Sequence, residues 1–487
     1  TQEAKAETWM STRSPHGWVH GGSRTGIQPA RRTQCKDNTF TVTEMPLKQS
    51  IQTLPEDRRY CVALSGGLDS SVLLHAVARR CSEVRAVHVH HGLSPNAGQW
   101  QRHCETLCEQ LGVPLDVVTV DVQKDGKGLE DAAREARYQA FIQQLQPNEI
   151  LLTAHHGDDQ VETLLMRLGR GSGVRGLAGM AARRPLGAGE LWRPLLGVRR
   201  RELEDYACSH RLSWIEDESN DDLQFDRNFL RHRVMPALRE RWPHLVDSWG
   251  QSAALCAESE ALLEEYARED LARLTPESAD PHAAAGWVLS LPGLQGLSTA
   301  RRHQVLRVWF RAREVPGLNR DRLAEVDRQL IDGREDAGAC VAWEGWALRR
   351  FRQGLYLLSG TSLEAPLPSE PIPVELSGSG RVVLPGGAVL VFERDDFGGN
   401  GSRLAAGLPE LSIRWRQGGE RCQPEGRAHS QTLKKLLQEY ALAPWWRARL
   451  PLIYSGETLV AAGDLWVCKG FSAAPGQPGY RLRWYNF

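Results

Sequence analysis

From Arg59 onward, apolar and polar positions settle into a two-beat pattern. Tyr60–Leu64 is a short apolar run, and Ser70–Arg80 after it reads as a helix. Val84–His90 predicts a strand, Gln99–Leu111 a helix, Leu115–Val120 a strand and Leu129–Leu145 a helix. Glu149–Ala154 and Asp158–Leu168 repeat the beat once more. Strands alternating with helices at this spacing indicate an α/β fold, a parallel sheet with helices on both faces.

Beyond Pro236 the beat is lost. Pro236–Arg273 is dominated by Ala, Leu and Glu and predicts helix, which Thr299–Arg313 and Arg320–Leu330 continue. Ala339–Leu358 alternates and predicts two strands. Gly360–Pro373, with four prolines, reads as a linker. The remainder predicts short strands and one amphipathic helix, Ser430–Tyr440. Residues 1–58 show no sustained apolar period and are expected to be a disordered extension. Met45 stands just before the first strand, so whether residues 1–44 belong to the native protein is left open. The expected order is therefore the extension, a catalytic α/β domain at 59–235, a mostly helical middle domain at 236–365 and a small α+β domain at 374–487.

Composition narrows the class. No apolar run approaches the ~18 residues a membrane span needs, and the first residues lack a secretory pattern, so a cytoplasmic protein is expected. The ten cysteines contain no CxxC pair and read as reduced thiols. Net charge is zero, which excludes a uniformly basic surface. From Arg403 onward, however, twelve Lys and Arg face six Asp and Glu, with Trp415, Trp445, Trp446 and Trp466 interleaved. Such a segment suits RNA phosphates and unstacked bases. A small domain with tryptophans inside and arginines outside fits that composition equally well.

The sharpest chemistry lies in Ser65-Gly66-Gly67-Leu68-Asp69-Ser70, between the first strand and its helix. The glycines let backbone approach a ligand, and the helix start suits an anion. Ser65 and Ser70 add hydroxyls, and Asp69 is a candidate ligand for Mg2+ bridging phosphates. No Gly-Lys-Ser/Thr ending follows, so this is not a Walker loop. The second cluster is His155-His156-Gly157-Asp158-Asp159-Gln160-Val161-Glu162. Asp159 and Glu162 share a helix face, where they can bind Mg2+ or accept a proton. Arg170 and Arg175 lie in the glycine-rich stretch that follows, suited to phosphate or RNA backbone. Further on, Arg227 and Arg231 are spaced to reach one anion, with Asn228 between them.

SGGLDS resembles the pyrophosphatase-loop (PP-loop) motif of enzymes that split ATP between its α- and β-phosphates. With AHHGDDQVET, RGSGVRGL, RPLL, WIEDESN and DRNFLR, it appears in the order and spacing of the tRNA(Ile)-lysidine synthase family. The likeness continues through Lys434, Lys435 and the Pro444-Trp445-Trp446-Arg447 segment, and covers roughly residues 59–470. It implies a PP-loop, adenine nucleotide alpha hydrolase-like catalytic domain and a tRNA-binding C-terminal domain. It also implies ATP and Mg2+, free L-lysine, and an isoleucine tRNA with a CAU anticodon whose wobble cytidine is adenylated and then joined to lysine. ATP would rest on Ser65–Ser70. Asp159, Glu162 and Arg231 are the catalytic candidates, and Asp69 and Asp159 the Mg2+ candidates. His155, Arg170, Arg175, Arg227, Asn228, Lys434, Lys435 and Arg447 are candidates for substrate or RNA contact. A homodimer is the assembly to test. The alternative within the superfamily is a tRNA thiolase, which typically relies on the paired cysteines this chain lacks.

Overall fold

Strand β1 (Arg59–Ala63) is apolar on both sides because both of its faces are covered. In the computed structural model, Tyr60 and Val62 point into one core, while Cys61 points into another on the opposite face of the sheet. The structure describes residues 32–33, 45–92, 94–122, 129–275, 287–334, 339–360, 364–376, 378–396 and 402–485. They form two compact units, one up to Glu260 and one from Ala261.

In the first unit, β1 is followed by α2 (Leu68–Ala78), β2 (Val84–His90), α3 (Ala97–Leu111), β3 (Leu115–Thr119) and α4 (Leu129–Gln144). Then come β4 (Glu149–Leu152), α5 (Gly157–Gly169), β5 (Arg183–Leu186), β6 (Gly189–Trp192) and α6 (Arg200–Ser209). The sheet order is β3-β2-β1-β4-β6-β5, parallel except at β5. Helices α2, α3 and α6 bury Val72, Leu107 and Leu203 on one face, and α4 buries Phe141 on the other. The chain leaves β1 toward β2 and β3 and later returns to its other side as β4. The crevice outside the ends of β1 and β4 is thus the topological switch point, where sheets of this kind bind ligands.

The expected extension needs a correction. Residues 45–52 form a helix, α1 (Met45–Gln52), that docks on the first core. Leu47, Ile51 and Leu54 are only 2%, 5% and 1% exposed. Their spacing carries a helical period over two turns, too brief to register as a sustained pattern. Arg32–Thr33 pairs antiparallel with Trp214–Ile215. Residues 1–31 and 34–44 lie outside the described residues. The β5–β6 hairpin was also unforeseen, since its sequence has no clear alternation.

In the second unit the middle region is helical but also carries an antiparallel sheet. Its order is Cys340–Trp343, Trp346–Phe351, Gly354–Ser359, Val288–Ser290, so the alternating stretch gives three strands where two were expected. Leu289, Leu355 and Leu357 pack on helices such as Thr299–Ala312. Val288, Tyr356 and Leu358 belong instead to the core of the C-terminal strands. Residues on either side of the 365/374 division therefore share one core. The C-terminal region holds a five-stranded and a four-stranded antiparallel sheet and the helix Leu433–Glu439.

Candidate active site

The loop after β1 is shaped by its own side chains. Gly66 sits at φ +83°, and a Cβ there would lie 3.1 Å from Cys104 Sγ. The Ser65 amide donates to Ser70 Oγ at 3.2 Å, and that hydroxyl donates to the Gly67 carbonyl at 3.1 Å. Ser65 Oγ lies 3.0 Å from Ser70 Oγ. Ser70 is buried, so its hydroxyl braces the loop. Gly67 caps α2 with no side chain over the first-turn amides, leaving the positive helix end open to an anion. Leu68 anchors in the core. Asp69 keeps a buried Oδ1 without a hydrogen bond, while its Oδ2 lies 3.7 Å from both His156 Nε2 and Arg200 Nη1.

Across the crevice, His156 begins α5 with its ring fully buried among carboxylates. Asp159, Asp158 and Asp69 stand 3.5, 3.6 and 3.7 Å from its nitrogens. Burial disfavours the charged ring, but Asp159, Asp158 and Asp69 outweigh it and push the pKa up to about 10. His155 goes the other way. Burial, against the pull of Asp159 and aided by Arg193, Arg227 and Arg134, pushes it down to about 3. Its Nδ1 lies 3.1 Å from Thr153 Oγ1. Adjacent histidines thus differ in charge at neutral pH, His156 a cation and His155 neutral.

Asp159 and Glu162 share a face of α5, and Arg227 and Arg231 hold both. Arg227 donates to Asp159 Oδ1 and Glu162 Oε2, each at 2.8 Å. Arg231 donates to Glu162 Oε1 at 2.7 Å, to its Oε2 at 3.0 Å and to Asp159 Oδ1 at 3.1 Å. Asp159 Oδ2 also accepts the His156 amide at 3.0 Å. Two guanidinium forks facing two buried carboxylates make a charge-balanced quartet. Burial works against the Asp159 anion, but His156 and Arg227 bring its pKa down to about 2. Arg227 and Arg231 do converge on one anionic target, as their spacing predicts. In this structure the target is the chain's own acid pair. A π-helical turn at Leu230–Val234 carries Arg231.

Sequence reasoning passed over His156 as a site residue, although the histidine pair was its signal. Asp158 accepts the Arg200 amide at 2.7 Å and pairs with Arg239, which ties α5 to α6 and to the helix Met235–Arg241. Asn228 is buried and donates to the Asp222 carbonyl at 2.9 Å. Arg170 and Arg175 are exposed, Arg175 within the short helix Val174–Leu177, and Arg167 secures this segment through the Gly176 and Gly179 carbonyls at 2.7 and 2.6 Å. Lys434 and Lys435 are exposed and Arg447 half-buried, all in the second unit. Among the described residues no group of three or more His, Cys, Asp and Glu side chains is arranged to hold a metal ion.

Three family models match the chain: a PP-loop domain at residues 40–238, a TilS substrate binding domain at 289–356 and a TilS substrate C-terminal domain at 411–484. A tRNA(Ile)-lysidine synthase of Xanthomonas campestris pv. campestris is 45% identical over 408 residues, 83% of this chain and 89% of its own. The chain belongs to the tRNA(Ile)-lysidine synthase family. The lysidine synthase of Coxiella burnetii is 38% identical over 90% of this chain and 96% of its own. That of Salmonella typhimurium is 40% identical over 89% and 98%. Membership of the lysidine synthases makes the chain an ATP-dependent ligase and leaves the thiolase alternative without support. No described helix is long and apolar enough to cross a membrane.

Proposed function

We propose that the chain joins free L-lysine to C2 of the wobble cytidine in the CAU anticodon of an isoleucine tRNA, in the cytoplasm. The C2 oxygen attacks the α-phosphorus of ATP, pyrophosphate leaves, and the tRNA is adenylated. The ε-amine of lysine then attacks C2, AMP leaves, and lysidine results. The observation that carries this reading is the crevice itself. There an open helix start at Gly67 faces the Asp159–Glu162–Arg227–Arg231 quartet across the buried His156 cation.

The ATP phosphates would lie on the backbone of Gly66–Asp69. Mg2+, when bound, neutralises phosphate charge. Asp69 with its unpaired Oδ1 fits that ion, whereas both oxygens of Asp159 already accept hydrogen bonds. The second step has its own requirement. An ammonium of pKa ~10.4 must lose a proton near pH 7.4, at a cost of roughly 4 kcal/mol. Asp159, held near 2, is too weak a base for that proton and serves as an anchor. Glu162 is the acceptor we assign. A lysine ammonium arriving at Glu162 would replace part of the Arg231 fork, one cation for another, so charge balance survives the exchange. His155, Arg170, Arg175 and Asn228 are assigned to the RNA side of the crevice, and Lys434, Lys435 and Arg447 to tRNA affinity.

Incubation with ATP, radiolabelled lysine and unmodified isoleucine tRNA transcript tests the proposal. Label should enter the RNA with one AMP and one pyrophosphate per lysine, and quenched flow should find adenylated tRNA accumulating when lysine is withheld. Adenylation without any lysine transfer, or transfer of sulfur in its place, would overturn it.

A further inference from the structure

The WIEDESN segment, Trp214–Asn220, enters none of the chemistry assigned above, yet it reaches both sides of the crevice. Its Ile215 amide donates to the Gly66 carbonyl at 3.0 Å, so the segment backs the glycine at the bend of the PP-loop. At its far end the Asn220 carbonyl accepts from His232 Nε2 at 2.9 Å, and His232 follows Arg231 in the turn that holds the acid pair. Between these two anchors, Glu218 Oε1 accepts from Asn96 Nδ2 at 3.2 Å.

Asn96 stands where α3 begins. It is buried, and its side chain makes no bond to the first turn of the helix, the usual use of an asparagine at that position. That side chain is committed to Glu218 instead. Helix α3 lies against the PP-loop from the other side. A Cβ on Gly66 would meet Cys104 Sγ at 3.1 Å, His103 Cδ2 at 3.5 Å and the Trp100 carbonyl at 3.8 Å. Gly66 is thus clasped between the WIEDESN segment and α3, and the Glu218–Asn96 bond joins the two walls. At φ +83°, Gly66 directs the chain into Gly67 and the open first-turn amides of α2, so drift of either wall turns those amides.

We propose that Glu218 is a positioning residue for ATP. Through Asn96 it fixes the WIEDESN segment against α3, and with it the set of the Gly66–Asp69 amides toward the triphosphate. The proposal deepens the reading that the ATP phosphates lie on that loop, and rests on it. Glu218 acts through Asn96 and takes no part in bond making.

The bond can be broken and then rebuilt in reverse. Glu218→Gln keeps an acceptor oxygen, Glu218→Ala removes it, and Asn96→Asp sets two carboxylates against each other. The double variant Asn96→Asp with Glu218→Gln restores the bond with donor and acceptor exchanged. Equilibrium dialysis with radiolabelled ATP and Mg2+, without RNA, should find ATP bound roughly three- to thirtyfold more weakly by Glu218→Ala and by Asn96→Asp. Glu218→Gln and the double variant should stay within about threefold of wild type. The KM for ATP in adenylation should follow the same order while the KM for the tRNA transcript keeps its wild-type value, a split that a general loss of stability does not produce. Glu218 is exposed, so its alanine and glutamine variants decide the matter if Asn96→Asp does not fold. Wild-type ATP affinity in folded Glu218→Ala, or no recovery of affinity in the double variant over Asn96→Asp, would overturn the assignment. A wild-type chain that binds ATP but adenylates no transcript would overturn the lysidine reading and leave the dialysis result standing, whereas one that binds no ATP would overturn both.

Discussion

Replacing His156 by glutamine removes a cation from among three carboxylates while keeping a side chain of similar reach. The ring's pKa rises from 6.5 to about 10 on folding. A raised pKa gives stability that is fully present below 6.5 and is lost as pH climbs through the folded value. Between those limits folding takes up one proton, so stability falls by about 1.4 kcal/mol per pH unit. From pH 7 to 9 this group alone should forfeit roughly 2–3 kcal/mol. Asp159 does not disturb the comparison. Its pKa is lowered from 3.8 to about 2, so its contribution is complete above the ordinary value and is lost only in acid. Urea unfolding in EDTA at pH 7, 8 and 9, with wild type and His156→Gln side by side, measures the effect. The advantage of the wild type over the variant should shrink by about 1.4 kcal/mol per unit. Histidine-selective 15N NMR should meanwhile show one imidazolium persisting near pH 8.5. An advantage that stays constant across this range would mean the buried ring is neutral, and the charge assignment at the centre of the crevice would be wrong.

Two further outcomes follow from the packing and the quartet. Removing residues 1–44 should leave lysine transfer unchanged, whereas removing 1–54 strips Leu47, Ile51 and Leu54 from the first core. At roughly 1.5–3 kcal/mol per buried side chain, the longer deletion should yield insoluble or unfolded protein, and a normal melting curve would contradict the docking of α1. Glu162→Gln should slow decay of adenylated tRNA by lysine about ten- to a thousandfold, and adenylation much less. Equal slowing of both steps in quenched flow would move Glu162 from the amine to the phosphates.

The sheet and the loop were legible because each reports on itself locally. Tyr60–Leu64 is apolar throughout, and SGGLDS spans the connecting loop and the first turn of the helix. The helix face shared by Asp159 and Glu162 was legible for the same reason. What those acids touch was not, since Arg227 lies 65 residues from Glu162 and pairwise contact across that distance leaves no trace in periodicity. The charge of His156 was equally hidden. It depends on Asp159 and Asp158 of its own helix acting together with Asp69, which arrives from the other side of the switch point, and the neighbouring His155, in nearly the same sequence context, ends up neutral. Helix α1 was missed because three apolar residues over two turns give too little signal without the groove they fill.

The strand Gly354–Ser359 forbids a shift of register. Leu355 and Leu357 face the helices, while Tyr356 and Leu358 face the C-terminal core. Gain or loss of one codon inside it would exchange these sides, sending an aromatic phenol among the helices and leaving the other core short of its aromatic. Such a slip damages two hydrophobic interiors at once, so no compensating change within either one can repair it. Length variation in this part of the chain is therefore confined to the turns, and related chains should keep the six-residue count of this strand even where its side chains drift.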